Sequence, residues 1–129
     1  MATFQRFTDI EAWQKCRELT NAIYKITKEG SFSKDFELRA QIRAASVSAM
    51  SNIAEGFERN GTAEFIKFLS IAKGSLAEVA SQLYVASDQG YVTRAEFDRL
   101  STLVTETSSK IGRLMSYLRR SGIKGIKYR

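Results

Sequence analysis

Apolar residues recur every three or four positions through four long stretches of this chain, the spacing that lines up one face of an α-helix. The first stretch holds Ile10, Trp13, Cys16, Thr20, Ile23 and Tyr24, and the second Leu38, Ile42, Ala45, Ala49, Ile53 and Phe57. The third runs through Phe65, Phe68, Leu69, Ala72, Leu76, Val79, Leu83 and Ala86, and the fourth through Phe97, Leu100, Val104, Ile111, Leu114, Met115 and Leu118. Gly30, Gly61 and Gly90 separate them at nearly even intervals, and there is no proline. These glycines, with Gly122, are placed to take the left-handed conformation that ends a helix. The pattern predicts helices over about 9–29, 35–58, 63–89 and 94–120, followed by an extended arm over 121–129.

Start signals fit these frames. Thr8 and Glu11 stand at capping-box spacing, as do Thr93 and Glu96, with Val92 and Phe97 placed as a hydrophobic staple. Thr62 is placed to cap the third helix, and Ser33 or Asp35 the second. Helices of roughly 30 to 40 Å joined by short turns predict an all-α, antiparallel up-and-down four-helix bundle in a single domain. The period delivers one helix per repeat with no residue-level self-similarity, which argues against a solenoid.

Composition narrows the chemistry. The 129 residues contain no histidine, so imidazole bases and histidine metal sites are excluded. Cys16, alone on an apolar stripe, reads as a small core residue and predicts a reducing, cytoplasmic setting. No signal-peptide core and no apolar run of about 20 residues is present, so no membrane role is expected. Without a phosphate-cradling glycine loop or metal-ligand spacing, the chain reads as a non-enzyme with no catalytic residue, no metal and no cofactor.

Charge is distributed unevenly. Of the 20 Lys and Arg, seven lie in the last 20 residues: Lys110, Arg113, Arg119, Arg120, Lys124, Lys127 and Arg129. All 14 Asp and Glu lie at or before Glu106, so a near-neutral body carries a cationic end. Such an end suits a polyanion, because phosphates neutralised by lysine and arginine release their counterions. RNA or another nucleic acid is the leading expected partner. Helix-dipole complementarity at a C-terminus accounts for two or three of these charges but does not require seven.

On the second helix, Ala45, Ala49, Asn52 and Gly56 fall on one line, a shallow face suited to close helix approach. Gly56 and Gly74 each cost about 1 kcal/mol inside a helix, so a packing or ligand reason is expected for both. Asn52, Glu55, Ser75 and Glu78 are expected to form a structural polar network across the second and third helices. A carboxylate metal site of Glu55, Glu64 and Glu78 is disfavoured, since that template wants Glu-x-x-His. Glu55 and Arg59 are spaced for a surface ion pair. Trp13, Phe57, Phe65, Phe68 and Phe97 occupy core frames, whereas Phe4, Phe7, Tyr91 and Tyr128 are candidates for exposed contacts.

Three strings together carry a resemblance. Phe7-Thr8-Asp9-Ile10-Glu11-Ala12-Trp13-Gln14-Lys15, then Gln41-Ile42-Arg43 with Ser51-Asn52-Ile53-Ala54-Glu55-Gly56-Phe57, then Glu64 to Leu69 with Ile71 to Glu78, resemble the signatures of the 23S rRNA intervening-sequence proteins. The resemblance implies an up-and-down four-helix protomer assembled as a homopentameric ring, with association to nucleic acid and no catalytic residue. The chain departs from the pattern at Ala49-Met50, where the family carries Ile-Pro, and at Ala44, where relatives carry a second arginine. Without that proline a straighter second helix is expected. A protein-interaction scaffold, docking through Ile123, Ile126 and Tyr128 of the arm, is the alternative role.

Overall fold

The computed structural model describes residues 4–121. Four helices make up the body: α1 (Glu11–Thr27), α2 (Phe36–Glu58), α3 (Thr62–Asp88) and α4 (Arg94–Ser121). Two short 3-10 helices, Phe7–Asp9 and Gly30–Lys34, precede α1 and α2. The helices pack in a closed cycle, α1 on α2, α2 on α3, α3 on α4 and α4 back on α1. Among the described residues there is no strand, and no helix is long and apolar enough to cross a membrane.

The anticipated apolar stripes line the core, with Ile23, Ile42, Ala49, Ile53, Phe65, Leu69, Val79, Leu83, Leu100 and Ile111 wholly buried. Tyr24 departs from its stripe and is exposed. Buried hydroxyls bond carbonyls one turn back, Thr20 to Cys16, Thr27 to Ile23 and Thr107 to Leu103, so each enters the core satisfied. α2 runs unbroken through Met50.

The helix starts differ in places from the sequence expectation. Thr93 and Glu96 do form a reciprocal capping box, Thr93 N donating to Glu96 Oε1 at 2.8 Å and Glu96 N to Thr93 Oγ1 at 3.1 Å. Thr8 and Glu11 do not. Asp9 Oδ2 instead accepts from the backbone N–H groups of Gln5 and Arg6, which winds 7–9 into a 3-10 turn and delays α1 to Glu11. Asp35, not Ser33, caps α2, its Oδ1 accepting from Leu38 N at 3.1 Å. Gly61 caps α3 in an extended conformation, and the Thr62 hydroxyl, inside the first turn, is buried with no hydrogen-bond partner among the described residues. The left-handed residue after α2 is Asn60 (φ 60°), whose short polar side chain tolerates that region, while Gly30 and Gly90 take it as expected.

A feature absent from the periodicity lies between α1 and α2. α1 ends at Thr27, two residues early, and the 3-10 helix Gly30–Lys34 drives Phe32 into the core at 0% exposure. Phe32 stacks on Tyr91 of the α3–α4 connection, ring centroids 5.1 Å apart, and Tyr91 Oη donates to Asp35 Oδ2 at 2.9 Å. Asp35 thus caps α2 with one oxygen and holds the other connection with its second. The Asp35 carboxylate, followed by burial, raises the Tyr91 pKa above its usual value near 10. A raised tyrosine pKa means that the stabilisation is complete below pH of about 10 and is lost as pH climbs past it. The stability gap between wild type and Tyr91→Phe, measured by urea unfolding, is therefore expected to shrink above pH of about 10. A gap constant from neutral to strongly alkaline pH would refute the linkage.

The two helical glycines separate. A Cβ on Gly56 would lie 2.6 Å from Phe68 Cβ, so this glycine permits the close approach of α2 and α3. A Cβ on Gly74 would meet nothing within 4 Å, so among the described residues no packing reason exists for it. Gly74→Ala is expected to stabilise the fold by about 0.5 to 1 kcal/mol in chemical unfolding, through helix propensity alone. A loss of stability would show that α3 has a constraint here that the fold does not explain.

Candidate functional site

The cationic end begins on α4. Lys110 is half-buried and its Nζ lies 3.1 Å from Glu11 Oε1 on α1, so the first of the basic residues is already paired. Arg113, one turn on, is exposed and borders a cleft of about 370 Å³ between the start of α1 and the end of α4, together with Asp9, Glu11, Lys110 and Tyr117. The acid-free end of the sequence is thus less bare in space, because the chain's start brings carboxylates to it.

Arg119 and Arg120 lie exposed in the last turn of α4, the end of a helix that favours cations. Arg120 Nε donates to the Ser116 carbonyl at 3.3 Å, which ties the guanidinium to its own helix. Among the described residues no carboxylate lies within 4.0 Å of Arg113, Arg119 or Arg120. Lys124, Lys127 and Arg129, with Ile123, Ile126 and Tyr128 of the anticipated arm, lie outside the described residues; Ser121, assigned to that arm, is the last residue of α4.

The expected polar network is only half present. Asn52 Nδ2 donates to Ser48 O at 2.8 Å and reaches Ser48 Oγ at 3.1 Å, and Ser48 Oγ is 3.0 Å from Ser75 Oγ. Asn52 and Ser75 are therefore joined through Ser48, which the sequence pattern did not single out. Glu55 is exposed and pairs with Arg59 at 2.8 Å, and Glu78 is exposed at the rim of a groove between α2 and α3. The carboxylates stay out of the network because water solvates them at no burial cost. Among the described residues no group of three or more Asp, Glu, Cys or His side chains could hold a metal ion.

Cys16 is buried among apolar groups, which pushes its thiol up to about 12. It stays protonated and un-nucleophilic at physiological pH. Three aromatic residues expected at the surface pack instead. Phe4 meets Phe57 edge-on at 6.4 Å, Phe7 meets Trp13 at 5.2 Å, and Tyr91 stacks on Phe32. Among the described residues the exposed rings are Phe36, Tyr84 and Tyr24, and two of them carry arginines: Arg39 over Phe36 at 4.8 Å and Arg43 over Tyr24 at 4.4 Å. Phe36 and Arg39 stand at i, i+3, a spacing visible in the sequence, but Phe36 lies before the first residue of the α2 stripe and so outside the periodic signal.

The family model for 23S rRNA-intervening sequence proteins matches residues 8–113. The chain belongs to that family. Among solved structures, a protein of unknown function from the S23 ribosomal protein family of Bacteroides thetaiotaomicron is similar at a TM-score of 0.73 and 24% identity. That match covers 81% of this chain and 97% of the other, and at this identity it speaks for the shared fold. No curated protein matches the chain. The matched region, 8–113, spans α1 to α3 and most of α4 and ends at Arg113, before Arg119 and Arg120.

Proposed function

We propose that this protein is a non-enzymatic, cytoplasmic, self-associating helical-bundle protein that binds RNA or another nucleic acid through the basic end of α4. The observation that carries the reading is the exposure of Arg113, Arg119 and Arg120 with no carboxylate within 4.0 Å among the described residues. Lys110 contributes after exchange of Glu11 for phosphate, and Lys124, Lys127 and Arg129 extend the charge along the chain. The family description, which names 23S rRNA, agrees with this class of partner.

The bundle is read as antiparallel and up-and-down. Supporting that topology, Phe32 and Asp35 of the α1–α2 connection both meet Tyr91 of the α3–α4 connection, while Glu11 at the start of α1 meets Lys110 late in α4. A homopentameric ring, which the family resemblance implies, would bring five basic ends together and raise the local field. Exposed Ile71 and Val85, on the same helical face as the open Gly74, also favour the second reading, a protein-interaction scaffold using the outer face of α3.

RNA binding against salt separates the two. Log affinity is expected to fall with log salt by about 0.9 per phosphate engaged on duplex and about 0.7 on single strands. Neutralising Arg113, Arg119 and Arg120 to glutamine should flatten that slope and weaken binding. Absence of RNA binding at low salt, with an intact native mass above that of the monomer, would sink the nucleic-acid role in favour of the scaffold.

A further inference from the structure

The face formed by the end of α1 and the start of α2 carries two arginine–aromatic pairs that contribute little to the core. Phe36 is 68% exposed, the highest value among the large apolar side chains described. Arg39 lies 4.8 Å from its ring centroid, and one turn further Arg43 lies 4.4 Å from the ring of Tyr24, itself 36% exposed. By helix geometry Phe36, Arg39 and Arg43 fall within an arc of about 60° on α2. Val47, also exposed, continues the same stripe.

Each guanidinium is held but not used up. Arg39 Nη1 donates to the Ser33 carbonyl at 2.7 Å, and Arg43 Nε donates to Thr27 Oγ1 at 2.8 Å. A guanidinium offers five N–H donors, so most of each fork is left over, already oriented by the ring beneath it. Among the described residues neither arginine has a carboxylate within 4.0 Å. Lys25, Lys28 and Lys34 are exposed along the same stretch of chain. Of the acids there, Asp35 is engaged by Leu38 N and Tyr91, Glu37 lies in the groove on the α3 side of α2, and Glu29 is exposed.

Aromatic surface left exposed beside its arginine, more at Phe36 than at Tyr24, together with oriented, acid-free guanidinium forks is the combination that unpaired nucleotides use. Bases stack on aromatic faces irrespective of sequence, and the forks take phosphate oxygens two at a time. A duplex keeps its base faces covered and gains nothing from the rings. An acidic peptide would use the charges but not the rings.

We infer that this α1–α2 face binds single-stranded polynucleotide, with bases stacked on Phe36 and Tyr24 and phosphates held by Arg39 and Arg43. This binding mode rests on the nucleic-acid role proposed above and adds a second surface, selective for unpaired strands. The test compares a labelled oligouridylate with a labelled RNA duplex of equal length on the full chain. Phe36→Ala, which removes an exposed ring and so spares the fold, should weaken oligouridylate binding about tenfold while leaving duplex binding and the salt slope unchanged. Tyr24→Ala should act in the same direction, and Arg39→Gln should reduce the single-strand salt slope by about 0.7.

The inference is overturned if Phe36→Ala and Tyr24→Ala both bind oligouridylate like wild type, even if neutralising Arg113, Arg119 and Arg120 abolishes binding. The basic-end proposal fails alone if those three substitutions change nothing while Phe36→Ala still weakens the single strand. Displacement of oligouridylate by polyglutamate, with both ring variants unaffected, would also overturn it and assign the face to an acidic peptide. Wild type that binds neither probe at low salt would overturn both.

Discussion

Phe32→Ala should lower the unfolding free energy by about 3 to 4 kcal/mol, the range for truncating a fully buried aromatic ring. The ring has 0% exposure, so the whole of its transfer energy is at stake. It also loses the stacked contact with Tyr91, centroids 5.1 Å apart, a geometry worth about 1 kcal/mol beyond burial. Collapse into the cavity is hindered, because the Asp35–Tyr91 hydrogen bond keeps the two connections in place on either side. A domain of this size has about 5 to 15 kcal/mol in all, so the variant should melt far below wild type. Urea unfolding read by circular dichroism checks it; a change under about 1 kcal/mol would mean that the 3-10 segment packs only marginally.

Gly56→Ala is the second large effect, and its sign opposes helix propensity. Alanine in place of a helical glycine is favourable by up to about 1 kcal/mol where space allows, less in a last turn such as that of Gly56. Here the added Cβ falls 2.6 Å from Phe68 Cβ and 3.1 Å from Phe65 Cδ1. The Phe68 atom is one bond from the backbone and cannot rotate away, so α2 and α3 must part. Phe65 and Phe57, wholly or nearly wholly buried and in edge contact at 6.1 Å, would be displaced with them. Overpacking of this kind costs about 1 to 3 kcal/mol, and with the backbone unable to yield a net loss of about 2 kcal/mol is expected. Gly74→Ala, on the same helix pair but facing outward, supplies the control of opposite sign. Equal stabilisation by both substitutions would refute the close approach at Gly56.

These two glycines show where sequence reading stops. Both were identifiable as anomalies within helices, yet only the position of α3 relative to α2 tells which one is filled against. The four helices were legible because amphipathic spacing is a local property, and Thr93–Glu96 was legible because both partners lie within one turn. Phe32 was not, since a single apolar residue in a connection has no period, and its burial depends on Tyr91 far along the chain. Glu55 and Glu78 share helices with Asn52 and Ser75, but their rotation around the helix axis places them in water. Charge at the chain end could be counted from the sequence, whereas the pairing of Lys110 with Glu11 could not, because the two are nearly a whole chain apart. The two arginine–aromatic pairs of the α1–α2 face combine both cases: Phe36 with Arg39 is local, and Tyr24 with Arg43 crosses between helices.

The contact of α1 with α4 bears on the order in which the chain assembles. Three of the four helix junctions join neighbours across turns, so they form by closing short loops. The fourth brings Glu11 to Lys110 and closes a loop of nearly the entire molecule. Each doubling of loop length adds only about 0.6 kcal/mol of closure entropy, so the equilibrium hardly notices. The rate does, because that entropy is lost before the distant contact returns anything. The α1–α4 seam is thus the last of the four junctions expected to close, after α1 has already packed on α2 across their short connection.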